Sequence, residues 1–192
     1  MDAITFRRWR ALTYHDPAEK LRRLRAVERE LADVLRDADA DVRALRTTEL
    51  NKYRECRDAA LFTYGMGLRH DGKVCFATEA TTDHEYDFVT RWFEGDVAHF
   101  CPVQLKELPP EERNPGETID GLLLKLKKYG PTQTVLAIPL NRREQVNLDR
   151  DWPAVPFAEL WFFWASAPGA AEWSIYGDAL GTRGQWAFDY PT

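Results

Sequence analysis

Cysteine is scarce in this 192-residue chain: Cys56, Cys75 and Cys101 are odd in number, far apart and without a C-x-x-C pair. That usage excludes a disulfide framework and points to reduced thiols in a cytoplasmic protein. Long apolar runs are missing too. No stretch approaches roughly eighteen uninterrupted apolar residues, and Met1 to Arg10 carries charge where a secretion signal has an apolar centre. Neither a membrane span nor secretion is expected. Several motifs are absent as well: G-x-x-x-x-G-K-[ST], G-x-G-x-x-G after a strand, H-E-x-x-H and G-x-S-x-G. P-loop hydrolysis, dinucleotide redox chemistry and serine hydrolysis lose their main support. There is no internal repeat and no low-complexity tract.

What is present is enough for one core. Hydrophobic residues make up 44%, charged residues 30% and aromatics 12%, a composition that buries apolar surface rather than staying disordered. The net charge of -5 is unevenly spread. Residues 1–46 hold eleven Lys or Arg against nine acids, and residues 47–192 hold fifteen against twenty-two. The division expected is an N-terminal helical arm, 1–46, and an α/β domain, 47–192. A basic face of the kind that clamps long nucleic acid non-specifically is not advertised.

Residues 17–40 read as a helix opened by Asp16 as cap and Pro17 in the first turn. Leu21, Leu24, Val27, Leu31, Val34 and Leu35 recur at steps of three and four. That stripe either packs on its own domain or, at near-heptad spacing, forms a homodimer seam. Before it, Arg7-Arg8-Trp9-Arg10 is either a solvated charged face or a phosphate contact with an aromatic beside it. A second helix is expected over 48–64, ended by Gly65 and Gly67. Strands follow at 73–78, 85–93 and 97–106, the last two joined as a hairpin by Glu94-Gly95-Asp96. A helix over 117–129 and strands at 134–140, 158–165, 173–176 and 185–188 complete the chain, giving a mixed α/β fold.

The chemistry concentrates at the hairpin. Thr82-Asp83-His84-Glu85-Tyr86-Asp87 enters one strand and Gln104-Leu105-Lys106 leaves the other. Side chains alternate, so Gln104 and Lys106 share a face. If Asp87 lies opposite Gln104, a carboxylate, an amide and an ammonium converge, a group able to hold a divalent metal and a water nucleophile. A different register puts Glu85 or Asp83 there instead.

At these residues the chain resembles the PD-(D/E)XK nuclease superfamily, and within it the Gln-x-Lys variants of Mrr-type restriction enzymes and some resolvase-like relatives. The resemblance covers about residues 48–140 through element order. It implies a restriction-endonuclease-like mixed sheet flanked by helices, here with an extra N-terminal helix. It also implies a metal-dependent endonuclease acting on nucleic acid, DNA in the first instance, with Mg²⁺ or Mn²⁺ as cofactor. The implied ligands are Asp87, Gln104 and a helical Glu55, with Glu49 as its rival, and Lys106 serves the water and phosphate. Two departures stand out: Gln104 replaces an acid, and no proline precedes Asp87. Both allow a second reading, a catalytically inactive nuclease-fold protein that binds or assembles.

Lys125, Lys127, Lys128, Arg142 and Arg143 are the local candidates for phosphate contact. Cys75, Cys101, His70, His84 and His99 lack zinc-finger spacing and read as core thiols and surface imidazoles. Trp152, Trp161, Trp164, Trp173 and Trp186 read as core rather than a stacking platform, because Leu160-Trp161-Phe162-Phe163-Trp164 suits a strand buried on both faces.

Overall fold

The structure, a computed structural model, describes residues 3–43, 45–69, 72–78, 86–142 and 146–192. In chain order the elements are α1 (Ala3–Ala11), α2 (Pro17–Glu30), α3 (Ala32–Arg36), α4 (Ala40–Arg43), α5 (Thr48–Arg69), β1 (Cys75–Thr78), β2 (Phe88–Glu94) and β3 (Val97–Leu105). Then come α6 (Ile119–Leu126), β4 (Val135–Pro139), β5 (Glu159–Ala165), β6 (Glu172–Gly177) and β7 (Gly184–Asp189). The fold is mixed α/β, with one seven-stranded sheet in the order β1-β2-β3-β4-β5-β6-β7. Strands β3, β4 and β5 are parallel neighbours, while β6 and β7 pair antiparallel. Among the described residues no helix is long and apolar enough to cross a membrane.

Two compact units make up the chain. The first comprises Met1–Glu79, Thr90–Phe100 and Tyr190–Thr192, and the second Ala80–Val89 and Cys101–Asp189. In the first, α2 packs on α5 and α5 on β1. Asp16 caps α2 by accepting from Ala18 N at 2.9 Å and Glu19 N at 3.2 Å, as the Asp-Pro start leads one to expect. Burial of Tyr53 and Tyr190 raises both phenol pKa values, and their hydroxyls donate to Leu24 O and Leu21 O on α2.

Three expectations about the N-terminal helices need correction. The helix over 17–40 breaks at Leu31, where α2 ends and α3 begins. The apolar stripe is covered at Leu21 and Leu24, but Val27, Leu31 and Val34 are exposed, and a helix without a packed face has little to sustain it. The single extra N-terminal helix is instead α1 to α4. Gly65 and Gly67 do not end the second helix, which runs on to Arg69. Gly67 lies inside it because the chain returns closely there: a Cβ would meet Gly72 O at 3.2 Å.

In the second unit, α6 begins at Ile119 rather than 117, with Thr118 as cap accepting from Gly121 N at 3.0 Å. It ends at Leu126, short of 129. Its apolar face contributes Ile119, Leu123 and Leu126 to a core with Leu136, Ile138, Leu160 and Phe162. The tryptophans divide: Trp161 and Trp173 are buried, whereas Trp152, Trp164 and Trp186 are half-buried. Trp161 and Trp186 meet edge to face at 5.7 Å, and Trp152 lies 4.7 Å from Phe162.

Candidate functional site

The site begins with a ladder. Strand β3 pairs with β4 through Val103 with Val135, Gln104 with Leu136 and Leu105 with Ala137. The same register continues past the strand end: Lys106 N donates to Ala137 O and Leu108 N to Pro139 O, both at 3.1 Å. A bridge between Leu108 and Leu140 closes it. Gln104 and Lys106 therefore project from a backbone held by successive interstrand bonds, on alternate positions of one face.

Asp87 sits just before β2 and faces this segment. Its backbone N–H donates to Val103 O at 2.8 Å. Its carboxylate Oδ2 accepts from Leu105 N at 2.6 Å and from the Gln104 Nε2. Both donors fall on one oxygen, Oδ2, and the amide orientation leaves Gln104 Oε1 as an acceptor. Partial burial raises the Asp87 pKa, opposed in turn by the Leu105 N–H, the Lys106 ammonium and the Gln104 amide. Asp87 itself remains open to solvent, and Gln104 and Lys106 are half-buried.

The structure brings Asp87 and Gln104 into contact within the second unit, with Lys106 two residues beyond Gln104. Glu55 lies on α5 in the first unit and is exposed. The side chain of Glu49 lies outside the described residues, as do Asp83, Glu85, His70, His84 and Arg143. Among the described residues no three His, Cys, Asp or Glu side chains gather as a metal-holding group. Cys75 and Cys101 are half-buried thiols outside any disulfide, and burial pushes the Cys101 thiol up to about 12. That makes Cys101 a poor nucleophile or metal ligand near neutral pH.

The local cations are differently employed. Lys125 is ion-paired with the buried Glu117. Arg142 donates to Pro109 O at 2.7 Å and Asn114 O at 2.5 Å, tying down the 109–114 loop. Lys128 lies 5.5 Å from the Tyr129 ring centre, and Lys127 is exposed beside a surface hollow lined by Asp120, Asp151 and Trp152.

Two features were not read from sequence. The Leu105 backbone N–H donates to Asp87 Oδ2 at 2.6 Å, and a main-chain donor leaves no residue signature. Glu107 Oε1 accepts from Asn141 Nδ2 at 2.5 Å, joining the segments that follow β3 and β4. Glu107 follows the Gln-x-Lys run directly and Asn141 follows the apolar run of β4, which was the available clue. Compared with protein-family models, with curated proteins and with solved structures, the chain matches none.

Proposed function

We propose that this chain is a metal-dependent nuclease that hydrolyses phosphodiester bonds in nucleic acid, DNA in particular. The observation that carries the reading is the Asp87 carboxylate bonded to the Gln104 amide and the Leu105 N–H at the end of β3, with Lys106 next along the chain. Element order supports it: a long helix, three successive strands with a hairpin, a helix, then a strand parallel to the third. That order is compatible with the restriction-endonuclease-like sheet that the resemblance at the Gln-x-Lys motif implies.

The donor set fits Mg²⁺ or Mn²⁺. Asp87 offers a carboxylate oxygen and Gln104 an amide oxygen, both hard donors, and Mg²⁺ typically takes one or two carboxylates and completes its shell with water and phosphate oxygens. An ion held there supplies Lewis-acid polarisation of a phosphoryl oxygen and a lowered pKa for a bound water. The chain's own residues do the rest. Leu105 N–H and the Gln104 amide fix the carboxylate rotamer of Asp87, so the ligand is oriented before substrate arrives. Lys106, held by its backbone bond to Ala137, orients the attacking water and offsets charge on the phosphate.

A second reading, a nuclease-fold module without activity, is favoured by one observation: Gln104 stands where an acid would add a second strand carboxylate, so the site has one negative charge fewer for its ion. One experiment separates the two. Supercoiled, linear and single-stranded substrates are incubated with Mg²⁺ or Mn²⁺ and wild type, Asp87→Asn or Lys106→Ala. The nuclease reading expects cleavage by wild type alone. Wild-type inertness on every substrate would leave the binding module as the account.

A further inference from the structure

The arginines of α1 were left unused by the site. Residues Ala3–Ala11 carry Arg7, Arg8 and Arg10 and no acid. The helix is firmly mounted in the first unit by its opposite side: Trp9 is 3% exposed, and the Phe6 ring meets Phe100 edge to face at 5.4 Å. Tyr14 donates to Trp9 O at 3.0 Å, and the next residue, His15, exchanges backbone hydrogen bonds with Phe76 at 2.8 and 3.1 Å. Trp9 is turned inward, and Arg7, Arg8 and Arg10 are all exposed. Arg7 and Arg10 are one turn apart, about 5–6 Å between Cβ atoms, close enough to reach neighbouring phosphates.

We propose that this arginine face of α1 contacts the phosphate backbone of the nucleic acid substrate. The choice of polyanion rests on the nuclease reading. The unit that holds Asp87 has nine Lys or Arg against fifteen acids. Among the described cations of this unit, Lys125 is engaged with Glu117, Arg142 with two carbonyls, Arg150 with Asp120, and Arg183 with Asp149 and Asp151. The net charge of that unit is negative, so cations elsewhere in the chain add counterion-releasing contacts that it supplies sparingly. Planar guanidinia on a rigid helix suit that task, because they bind phosphate in two-pronged fashion with little ordering cost. A lipid surface suits α1 less well: its Trp9 is already buried, and nine residues provide little free apolar face for insertion.

The test is fluorescence anisotropy with a labelled 30-base-pair duplex in EDTA, between about 50 and 200 mM salt. Wild type is compared with Arg7→Gln/Arg10→Gln and with Arg7→Lys/Arg10→Lys. Loss of two phosphate contacts lowers the slope of log K against log salt by about 1.8 and affinity by about tenfold, while the lysine pair keeps the slope. If the arginines only complement the helix dipole, the glutamine pair shifts the melting temperature and leaves the slope unchanged. That result overturns the proposal, as does failure of wild type to bind duplex, or arginine-dependent binding to phosphatidylserine vesicles in place of duplex. The assay needs no metal and no cleavage, so its failure is distinct from that of the nuclease reading. Inert wild type with arginine-dependent duplex binding sinks only the nuclease; cleaving wild type with arginine-independent binding sinks only this surface.

Discussion

Strands β3 and β4 lie in register, Gln104 against Leu136 and Leu105 against Ala137, but their side chains meet different surroundings. Every residue of β4 is buried, whereas β3 is buried at Pro102 and Val103 and only half-buried at Gln104 and Leu105. The interstrand bonds do not stop where the burial does: Lys106 and Leu108 still donate to Ala137 and Pro139. A dry strand therefore positions a wet one. Polar groups that would be costly in the centre of the sheet are tolerated at its margin, and the fully packed neighbour removes their backbone freedom.

The comparison breaks most visibly in the dry region. Phe162 on β5 is fully buried in the core that includes Leu136, Ile138 and Leu160, so Phe162→Ala is expected to cost about 3–5 kcal/mol in urea unfolding. A loss below about 1 kcal/mol would mean that this core does not carry the sheet. Gly177→Ala comes next: its Cβ would stand 2.3 Å from Trp161, and overpacking of this kind costs about 1–3 kcal/mol or more. Stability equal to wild type would contradict that close approach.

The wet margin responds in function rather than stability. Asp87→Asn keeps volume and is expected to hold the fold within about 1–2 kcal/mol, the scale of the charge-assisted bonds it weakens, while abolishing cleavage. Lys106→Ala is expected to abolish cleavage and to spare metal uptake. It also removes a cation that lowers the Asp87 pKa, so protons compete better for the carboxylate. Calorimetric Mn²⁺ titrations should therefore show a steeper loss of affinity on acidification for Lys106→Ala than for wild type. Parallel pH profiles would remove Lys106 from the vicinity of the ion.

The smallest effect is in the pH dependence of stability. The folded pKa of Asp87 lies above the ordinary value of 3.8, so the folded state holds this proton more firmly than the unfolded chain. Its ionisation therefore costs stability as pH rises from about 3.8 through the folded pKa. Wild type should lose stability across that window relative to Asp87→Asn, which cannot ionise there. Urea midpoints at a series of acidic pH values check the sign, and a wild-type gain across the window would contradict it.

Much of this was legible where pattern and punctuation agree. The β2–β3 turn at Glu94-Gly95-Asp96 has Gly95 at φ 57°, the left-handed region its glycine announces, and the apolar runs at β4 and β5 became central strands. Helix ends were less legible. Gly65 and Gly67 looked like stops, but tertiary packing of α5 overrides a cost of about 1 kcal/mol per glycine. Conversely, the stripe from Val27 to Val34 looked like one helix face and is left exposed, so periodicity alone did not sustain the helix. At the site, the residue types were visible and their bonding was not, because the register that sets Oδ2 of Asp87 against the Leu105 N–H depends on main-chain geometry.

The central claim is that Asp87 and Gln104 hold a divalent ion beside Lys106. Its most direct test is Mn²⁺ titration followed by electron paramagnetic resonance, at neutral pH and without nucleic acid, on wild type, Asp87→Asn and Lys106→Ala. The account predicts one bound ion per chain in wild type and Lys106→Ala, and none in Asp87→Asn. No uptake by wild type, or equal uptake by Asp87→Asn, would contradict it.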